Sequence, residues 1–213
     1  MCSRKQLSIL LLLLILAPLA TNDLGTVGLT VLDGTLEGWE CRKGHDIIGS
    51  PSGAQVDYQM RLVVHYGSGT DYGEDIYCNS LCKGDFGDIR FTDSDGNMMH
   101  YWMEEKTDFD KATIWVKVPY IPSYPNRTEI YTQYGNPDAS TISNGKATFL
   151  IFDDFNDNSF NTSLWEDISA PGGSVSETGG VLQLNSPPGS RTCACVRSKV
   201  TYTGECSCSI NWR

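Results

Sequence analysis

The spacing of the apolar residues is the feature that most constrains the fold. Long helical periodicity is absent after the N-terminal segment, and short alternating runs are separated by Gly, Asp, Asn and Pro. Because successive side chains of a strand point to opposite faces, this pattern predicts half-buried strands joined by turns. We predict an all-β fold, an antiparallel β-sandwich of jelly-roll-like type. Strands are expected at 58–66, 88–92, 98–105, 112–118 and 129–134, and loops at 67–75 and 119–125.

The N-terminal segment has the arrangement of a secretory signal peptide. Arg4 and Lys5 precede an apolar run over 7–16, and small residues follow before a polar stretch. The run is shorter than the about 20 residues that span a bilayer. We predict a signal peptide over 1–20 and a secreted or cell-surface protein. The alternative is an uncleaved anchor, which would be the chain's only attachment to a membrane.

Seven of the eight cysteines follow the predicted signal peptide, and an exported protein favours disulfides. The candidates are Cys78, Cys82, Cys193, Cys195, Cys206 and Cys208. The first two would close a small loop, and the last four form two C-x-C pairs. If the segments carrying these pairs form an antiparallel hairpin, Cys193 faces Cys208 and the inner two face each other, which permits two cross-strand disulfides. Zinc binding, which typically uses C-x2-4-C spacing, and free thiols are the alternatives.

Strands 98–105 and 112–118 are predicted to pair as a hairpin across the four-residue loop 107–110. This register turns the apolar faces toward each other and places Trp102 opposite Trp115. The other expected pairs are Met103 with Ile114 and Lys106 with Lys111.

The two tryptophans lie beside Glu104 on the face opposite the predicted core. Flat aromatic rings next to hydrogen-bonding groups suit the apolar faces of sugars. Trp102, Trp115 and Glu104 are therefore the candidate ligand-binding residues. The alternative is that a further layer covers the tryptophans, since large aromatic side chains are usually mostly buried.

The acidic stretch over 93–97 (DSDGN) favours a turn. A three-residue loop over 94–96 places Phe91 opposite Met99 and puts glycine at the left-handed position. An EF-hand calcium loop is the alternative, because four of its ligand positions carry acidic or amide residues. Its sixth position, however, is Met98, where the sharp turn requires glycine. We predict a hairpin and no metal site.

No catalytic constellation is visible in the sequence. The adjacent acids Glu104 and Glu105 point to opposite faces of a strand and cannot work as a pair. The three histidines are widely spaced, and neither H-E-x-x-H nor G-x-S-x-G occurs. The formal net charge of −10, without a basic stripe, argues against nucleic acid. We expect a non-enzymatic protein without a cofactor.

From about residue 38 to 155 the chain resembles the prokaryotic cell-surface domain known as domain of unknown function 2341. The resemblance is carried by GEDIYCNSLCKGDFGDIRFTDSDG (73–96), YWMEE (101–105), ATIWVKVPYIP (112–122), IYTQYGNPDASTISNG (130–145) and FDDF (152–155). Cys41 departs from the family pattern, where an aromatic residue is usual. The resemblance implies a surface β-sandwich, and the family has no agreed activity.

The stretches FDDFNDNSFNTSLWE, GGVLQLN and VRSKVTYTGE are similar to the beginning of a concanavalin A-like lectin/glucanase domain. The later half of that sandwich, which carries the catalytic acids in glucanase members, has no counterpart. We predict one domain over 38–150 and an incomplete second β-sandwich unit over 151–213.

These observations predict a secreted or cell-surface β-sandwich module for carbohydrate binding or adhesion. Its expected partner is a glycan or a cell-envelope component. The alternatives are a structural subunit of an envelope or filament, and the N-terminal part of a glycoside hydrolase whose catalytic region is missing.

Overall fold

The computed structural model describes residues 34–189 and 192–201. The predicted signal peptide over 1–20 and the candidates Cys206 and Cys208 lie outside the described residues. The chain divides into two compact units between Thr148 and Phe149. Within the described ranges, no helix is long and apolar enough to cross a membrane.

In the part of the chain that the structure describes, the first unit has seven strands and one short helix. They are β1 (Cys41–Ile48), β2 (Gln55–His65), β3 (Asp75–Tyr77), β4 (Arg90–Thr92), β5 (Tyr101–Thr107), β6 (Lys111–Ile121), β7 (Arg127–Tyr134) and α1 (Gly145–Thr148). They form a four-stranded sheet of order β3-β2-β6-β5 and a three-stranded sheet of order β1-β7-β4. β3 pairs parallel with β2, and the other described pairings are antiparallel.

Both sheets contribute to one core, which confirms the predicted all-β, sandwich-like fold. The burial of β6 explains this pattern: Ala112, Ile114, Val116 and Val118 are buried in the core, whereas Trp115 and Lys117 between them are half-buried and only Thr113, at 8% exposure, departs from the alternation. On the facing sheet, β4 and β7 add Phe91, Ile130 and Tyr134 to the same core. The period of two in the sequence is therefore the alternation between the core and the outer face.

β1 is absent from the predicted strands, yet it pairs with β7 over its whole length. Its sequence, CRKGHDII, lacks regular alternation and has a glycine in the middle. A Cβ at Gly44 would meet the side chains of Tyr131, its partner in the ladder, and of Glu129, both on β7. This contact depends on the pairing partner, so the local sequence gives no sign of it.

β6 is longer than predicted and continues through Pro119 to Ile121, so the expected loop over 119–125 is partly wrong. Val56 pairs with Tyr120 and Tyr58 with Val118, and the ladder skips the position between them. Because proline has no N–H to donate, the sheet tolerates it where the opposite residue leaves the ladder. That residue is Asp57, whose φ is 54°.

The acidic turn has the predicted three-residue loop. The backbone N–H of Asp93 donates to Asn97 O at 3.1 Å, Met99 N–H donates to Phe91 O at 2.9 Å, and Gly96 has a φ of 84°. Asp93 Oδ1 accepts the N–H groups of Asp95 and Asn97 at 2.9 and 2.8 Å, so its carboxylate organises the turn.

The strands on either side of this turn do not continue as one hairpin. β4 pairs with β7, whereas β5 pairs with β6 in the other sheet. The turn therefore carries the chain from one sheet to the other. Phe91 and Tyr101 meet edge to face across the core, with ring centroids 5.6 Å apart.

The described part of the second unit consists of two small antiparallel sheets. Its strands are β8 (Trp165–Asp167), β9 (Ser174–Thr178), β10 (Val181–Asn185) and β11 (Val196–Ser198). β9 and β10 form a hairpin, and β8 pairs with β11. The hairpin closes on Gly179 and Gly180, whose φ values of 63° and 75° are those that a tight two-residue hairpin turn requires.

Cys193 and Cys195 carry free thiols next to β11. Their backbone carbonyls accept the N–H groups of Ala170 and Ile168, both at 3.0 Å, so the segment lies along the continuation of β8. The predicted hairpin with the second C-x-C pair falls outside the described residues and stays a prediction.

Candidate functional site

A row of three large side chains crosses the outer face of the four-stranded sheet. Trp102 on β5 lies directly opposite Trp115 on β6, and Trp115 lies opposite Arg61 on β2. The flanking Ile114 and Val116 point into the core, which places the row on the other face. Both tryptophans are half-buried. The predicted pairing of the two tryptophans is confirmed.

The β5–β6 hairpin departs from the predicted register at its closed end. Met103 pairs with Ile114 as predicted, but Glu105 then pairs with Thr113, so Glu104 is an extra residue in the strand. The predicted pairing of Lys106 with Lys111 is therefore wrong. The remaining pairs are Lys106 with Ala112 and Thr107 with Lys111, which shortens the loop to 108–110. A bulge of this kind re-aims a side chain without interrupting the sheet.

Here the re-aimed side chain is that of Glu104. Its Oε2 accepts a hydrogen bond from Trp115 Nε1 at 2.8 Å. An indole N–H that is half-buried usually finds such a partner, because leaving it unpaired is costly. Glu104 thus fixes the orientation of the Trp115 ring, and the three predicted site residues lie together.

Charged groups border the row. Arg61 Nη2 lies 2.5 Å from Glu74 Oε1, and Lys117 Nζ lies 3.2 Å from Asp57 Oδ2. The side chains of Arg61 and Glu74 are 45% and 42% exposed, so both reach solvent while they are paired. The face thus combines aromatic rings with donors and acceptors of fixed position.

A cleft of about 350 Å³ opens beside Arg61. It is lined by residues 45–48 of β1, residues 60–62 of β2 and the pair Gly73 and Glu74 before β3. Sequence reasoning missed this cleft, because it forms where β1 approaches the edge of the other sheet and β1 was not predicted.

His45 is one of the titratable residues that line this cleft. Its Nε2 lies 3.0 Å from Thr132 Oγ1, and burial lowers the pKa of His45 to about 4 despite the opposing charge of Asp71. The imidazole is therefore neutral at pH 7 and acts as a hydrogen-bonding group, not as a cation.

Two buried features lie away from the tryptophan row. Asp88 is fully buried, and its carboxylate accepts three backbone N–H groups, those of Lys83, Gly135 and Asn136. The thiols of Cys78 and Cys82 are buried and free, in hydrogen-bond contact with each other. This contact, together with burial, raises the pKa of Cys78 far above its usual range.

The family model described as Domain of unknown function (DUF2341) matches residues 85–168. None of the curated proteins and none of the solved structures matches the chain. The predicted resemblance to this family is therefore confirmed over 85–168, which includes Trp102, Glu104 and Trp115. Residues 38–84 of the predicted span lie outside the match, and the similarity to a concanavalin A-like domain stays a prediction.

Proposed function

We propose that the first unit is a non-enzymatic glycan-binding module that works outside the cell, in adhesion or attachment. The observation that carries the proposal is the pairing of Trp102 with Trp115 on an outer sheet face, with Trp115 held by Glu104 at 2.8 Å. Sheet positions are rigid, so the rings are already oriented before a ligand arrives, which lowers the entropic cost of binding.

The charge of the chain favours a neutral glycan. A protein with a net charge of −10 repels uronic or sulfated sugars at long range. Arg61 and Lys117 are each already paired with a carboxylate, so neither adds a free cation to the face. A neutral sugar would stack its apolar face on the rings and take hydrogen bonds from the charged groups at the border.

A glycan array with the full chain tests this proposal. We expect the wild type to bind at least one neutral glycan and Trp102→Ala to weaken that binding by roughly ten- to a hundredfold, the range for losing a central aromatic contact. Tyr72→Ala is the matched control, because Tyr72 is 86% exposed and lies off the row. An array on which the folded wild type binds no glycan would refute the proposal, as would undiminished binding by Trp102→Ala.

A concentration series of the same protein tests the alternative that it is a structural subunit. A subunit of an envelope or filament would assemble as its concentration rises, which light scattering measures. Assembly that sugars do not affect and that Trp102→Ala abolishes would assign the tryptophan face to contacts between chains.

We also propose a disulfide between Cys78 and Cys82 in the exported protein. The two buried thiols are near enough for Cys82 to raise the pKa of Cys78, and the loop between them is held by backbone bonds from Cys78 N–H to His65 O at 2.9 Å and from Ser80 N–H to Tyr66 O at 2.6 Å. Oxidised glutathione can accept the two electrons and both thiol protons, and it becomes two molecules of reduced glutathione.

We propose that the second unit is the start of a concanavalin A-like sandwich, which agrees with its short antiparallel strands.

A further inference from the structure

One side of β2 is only partly covered by a neighbouring strand. β6 pairs with β2 along most of its length on one side, whereas β3 covers the other side only from Val63 to His65. Within residues 34–189 and 192–201, no strand continues the row of β3 along β2 before Val63. Tyr72 and Asp75 exchange backbone hydrogen bonds at 3.2 and 3.0 Å, and this turn reverses the chain just before β3, so the row ends there.

The pairing with β3 shows which backbone groups of β2 point to the open side. Val63 N–H donates to Glu74 O at 2.8 Å, so the backbone groups of Val63 face β3. Because these groups alternate between the two sides of a strand, the N–H and C=O of Arg61 and of Gln59 face the same side. The regular geometry ends at Asp57, whose φ is 54°. The open edge over 58–62 therefore presents two donors and two acceptors.

The cleft of about 350 Å³ lies along this open edge. Residues 60–62 of β2 line it, together with Gly73 and Glu74 just before β3. Residues 45–48 of β1 also line it, and β1 is itself an edge strand of the other sheet. The apolar members of the lining are Ile47, Ile48, Met60 and Leu62. A row of backbone donors and acceptors thus borders a largely apolar space.

An extended peptide matches this combination. Its backbone offers donors and acceptors with the period of a strand, and it would lie about 4.8 Å from β2 in the row that β3 begins. Its side chains would alternate as those of β2 do: residues beside Met60 and Leu62 would face the cleft, and residues beside Arg61 would face solvent. The net charge of −10 disfavours an acidic peptide.

We propose that β2 over 58–62 binds a segment of another protein as an added strand. The segment is extended, lacks acidic residues and alternates apolar with polar side chains. This interaction goes beyond glycan binding, because it uses the edge of the four-stranded sheet and not its outer face.

A synthetic peptide tests the proposal with the full chain. The probe is the acetylated and amidated octapeptide KTVTVTVK, in which threonine and valine alternate and the lysines keep it soluble. Two further versions are N-methylated, one at the threonines and the other at the valines. Because the N–H groups of successive residues point to opposite sides of a strand, only one version has methyl groups on the side that meets β2. In isothermal titration calorimetry we expect that version to bind roughly tenfold more weakly and the other to bind like the parent.

Arg61→Pro is the corresponding change in the protein. Proline has no N–H and its ring occupies space at the edge, yet it removes no bond to β6, because the N–H at this position points away from β6. We expect this variant to bind the parent peptide roughly tenfold more weakly. Arg61→Ala is the matched control: it removes the same side chain and its ion pair with Glu74 but keeps the N–H, and its affinity should stay within about twofold of the wild type.

A folded wild type that binds none of the three peptides would overturn the proposal. Equal affinities for the two methylated versions, or equal affinities of Arg61→Pro and Arg61→Ala, would overturn it as well. If Arg61→Pro does not fold, the methylated peptides decide the question with the wild type alone. Light scattering without peptide adds a last arm: a wild-type dimer that Arg61→Pro separates, together with no peptide binding, would assign the edge to a second copy of this chain.

Discussion

Replacing Asp88 with asparagine is the sharpest test of what holds the first unit together. The Asp88 carboxylate is fully buried and accepts the N–H groups of Gly135 at 2.7 Å, Lys83 at 2.9 Å and Asn136 at 3.2 Å. It thereby joins the segment before β4 to the segment after β7. The substitution keeps the size of the side chain and changes only its hydrogen bonding.

The expected change in the free energy of unfolding follows from counting these hydrogen bonds. An asparagine oxygen in the place of Oδ2 keeps the bonds from Gly135 and Asn136, but the amide nitrogen then faces the N–H of Lys83, so that donor is left unpaired. A buried hydrogen bond to a charged group contributes about 1.5–3 kcal/mol. We therefore expect Asp88→Asn to lower the free energy of unfolding by about 2–3 kcal/mol. Asp88→Ala leaves all three donors unpaired and should cost about 4–5 kcal/mol.

Urea unfolding followed by circular dichroism measures both values. Asp95→Asn is the matched control, because Asp95 is exposed in the turn over 94–96, and its effect should stay within about 0.5 kcal/mol. Hydrogen exchange adds a local readout: the amide of Lys83 should lose more protection in Asp88→Asn than that of Gly135. A free energy of unfolding for Asp88→Asn within about 0.5 kcal/mol of the wild type would refute this reasoning.

Two further predictions concern protons and thiols. Because burial lowers the pKa of His45 from 6.5 to about 4, the unfolded chain takes up the proton first as the pH falls; stability is therefore lost between pH 6.5 and 4. The free energy of unfolding should drop by about 3 kcal/mol more in the wild type than in His45→Gln between pH 7 and pH 4, and equal slopes would contradict the assignment. Non-reducing peptide mapping of the oxidised protein should find the peptide with Cys78 and Cys82 lighter by the mass of about two hydrogens. Dithiothreitol should then destabilise the wild type by about 2 kcal/mol more than Cys82→Ser, as expected for a five-residue loop, and a reduced peptide under oxidising conditions would speak against the disulfide.

The sequence predicts those parts of the fold that local chemistry decides. β6 alternates apolar and polar residues along most of its length, so its core face can be identified residue by residue. The turn over 94–96 has glycine at the one position that needs a positive φ, and its loop length is confirmed by the bond between Met99 and Phe91. In both cases the information lies within a few neighbouring residues.

The features that the sequence does not predict depend on contacts between distant segments. β1 forms because β7 is available to pair with it, and its Gly44 leaves space for the side chains of Glu129 and Tyr131. The bulge at Glu104 is of the same kind: the hairpin gains a bond to the indole of Trp115, and no local signal marks the extra residue. The cleft beside Arg61 was missed for the same reason, since one of its walls is β1.

The matched stretch over 85–168 contains Asp88 and both tryptophans of the row, and these have separate physical roles. Asp88 is buried and satisfies backbone donors, whereas Trp102 is half-buried on an outer face and its removal opens no core cavity. Trp102→Ala should therefore weaken glycan binding by roughly ten- to a hundredfold at a free energy of unfolding close to that of the wild type. Asp88→Asn should bind normally at low temperature and lose binding only where it unfolds. If both variants instead lose stability and binding in parallel, the tryptophan row belongs to the structural framework of the unit, and the glycan site must be sought elsewhere, first in the cleft beside Arg61.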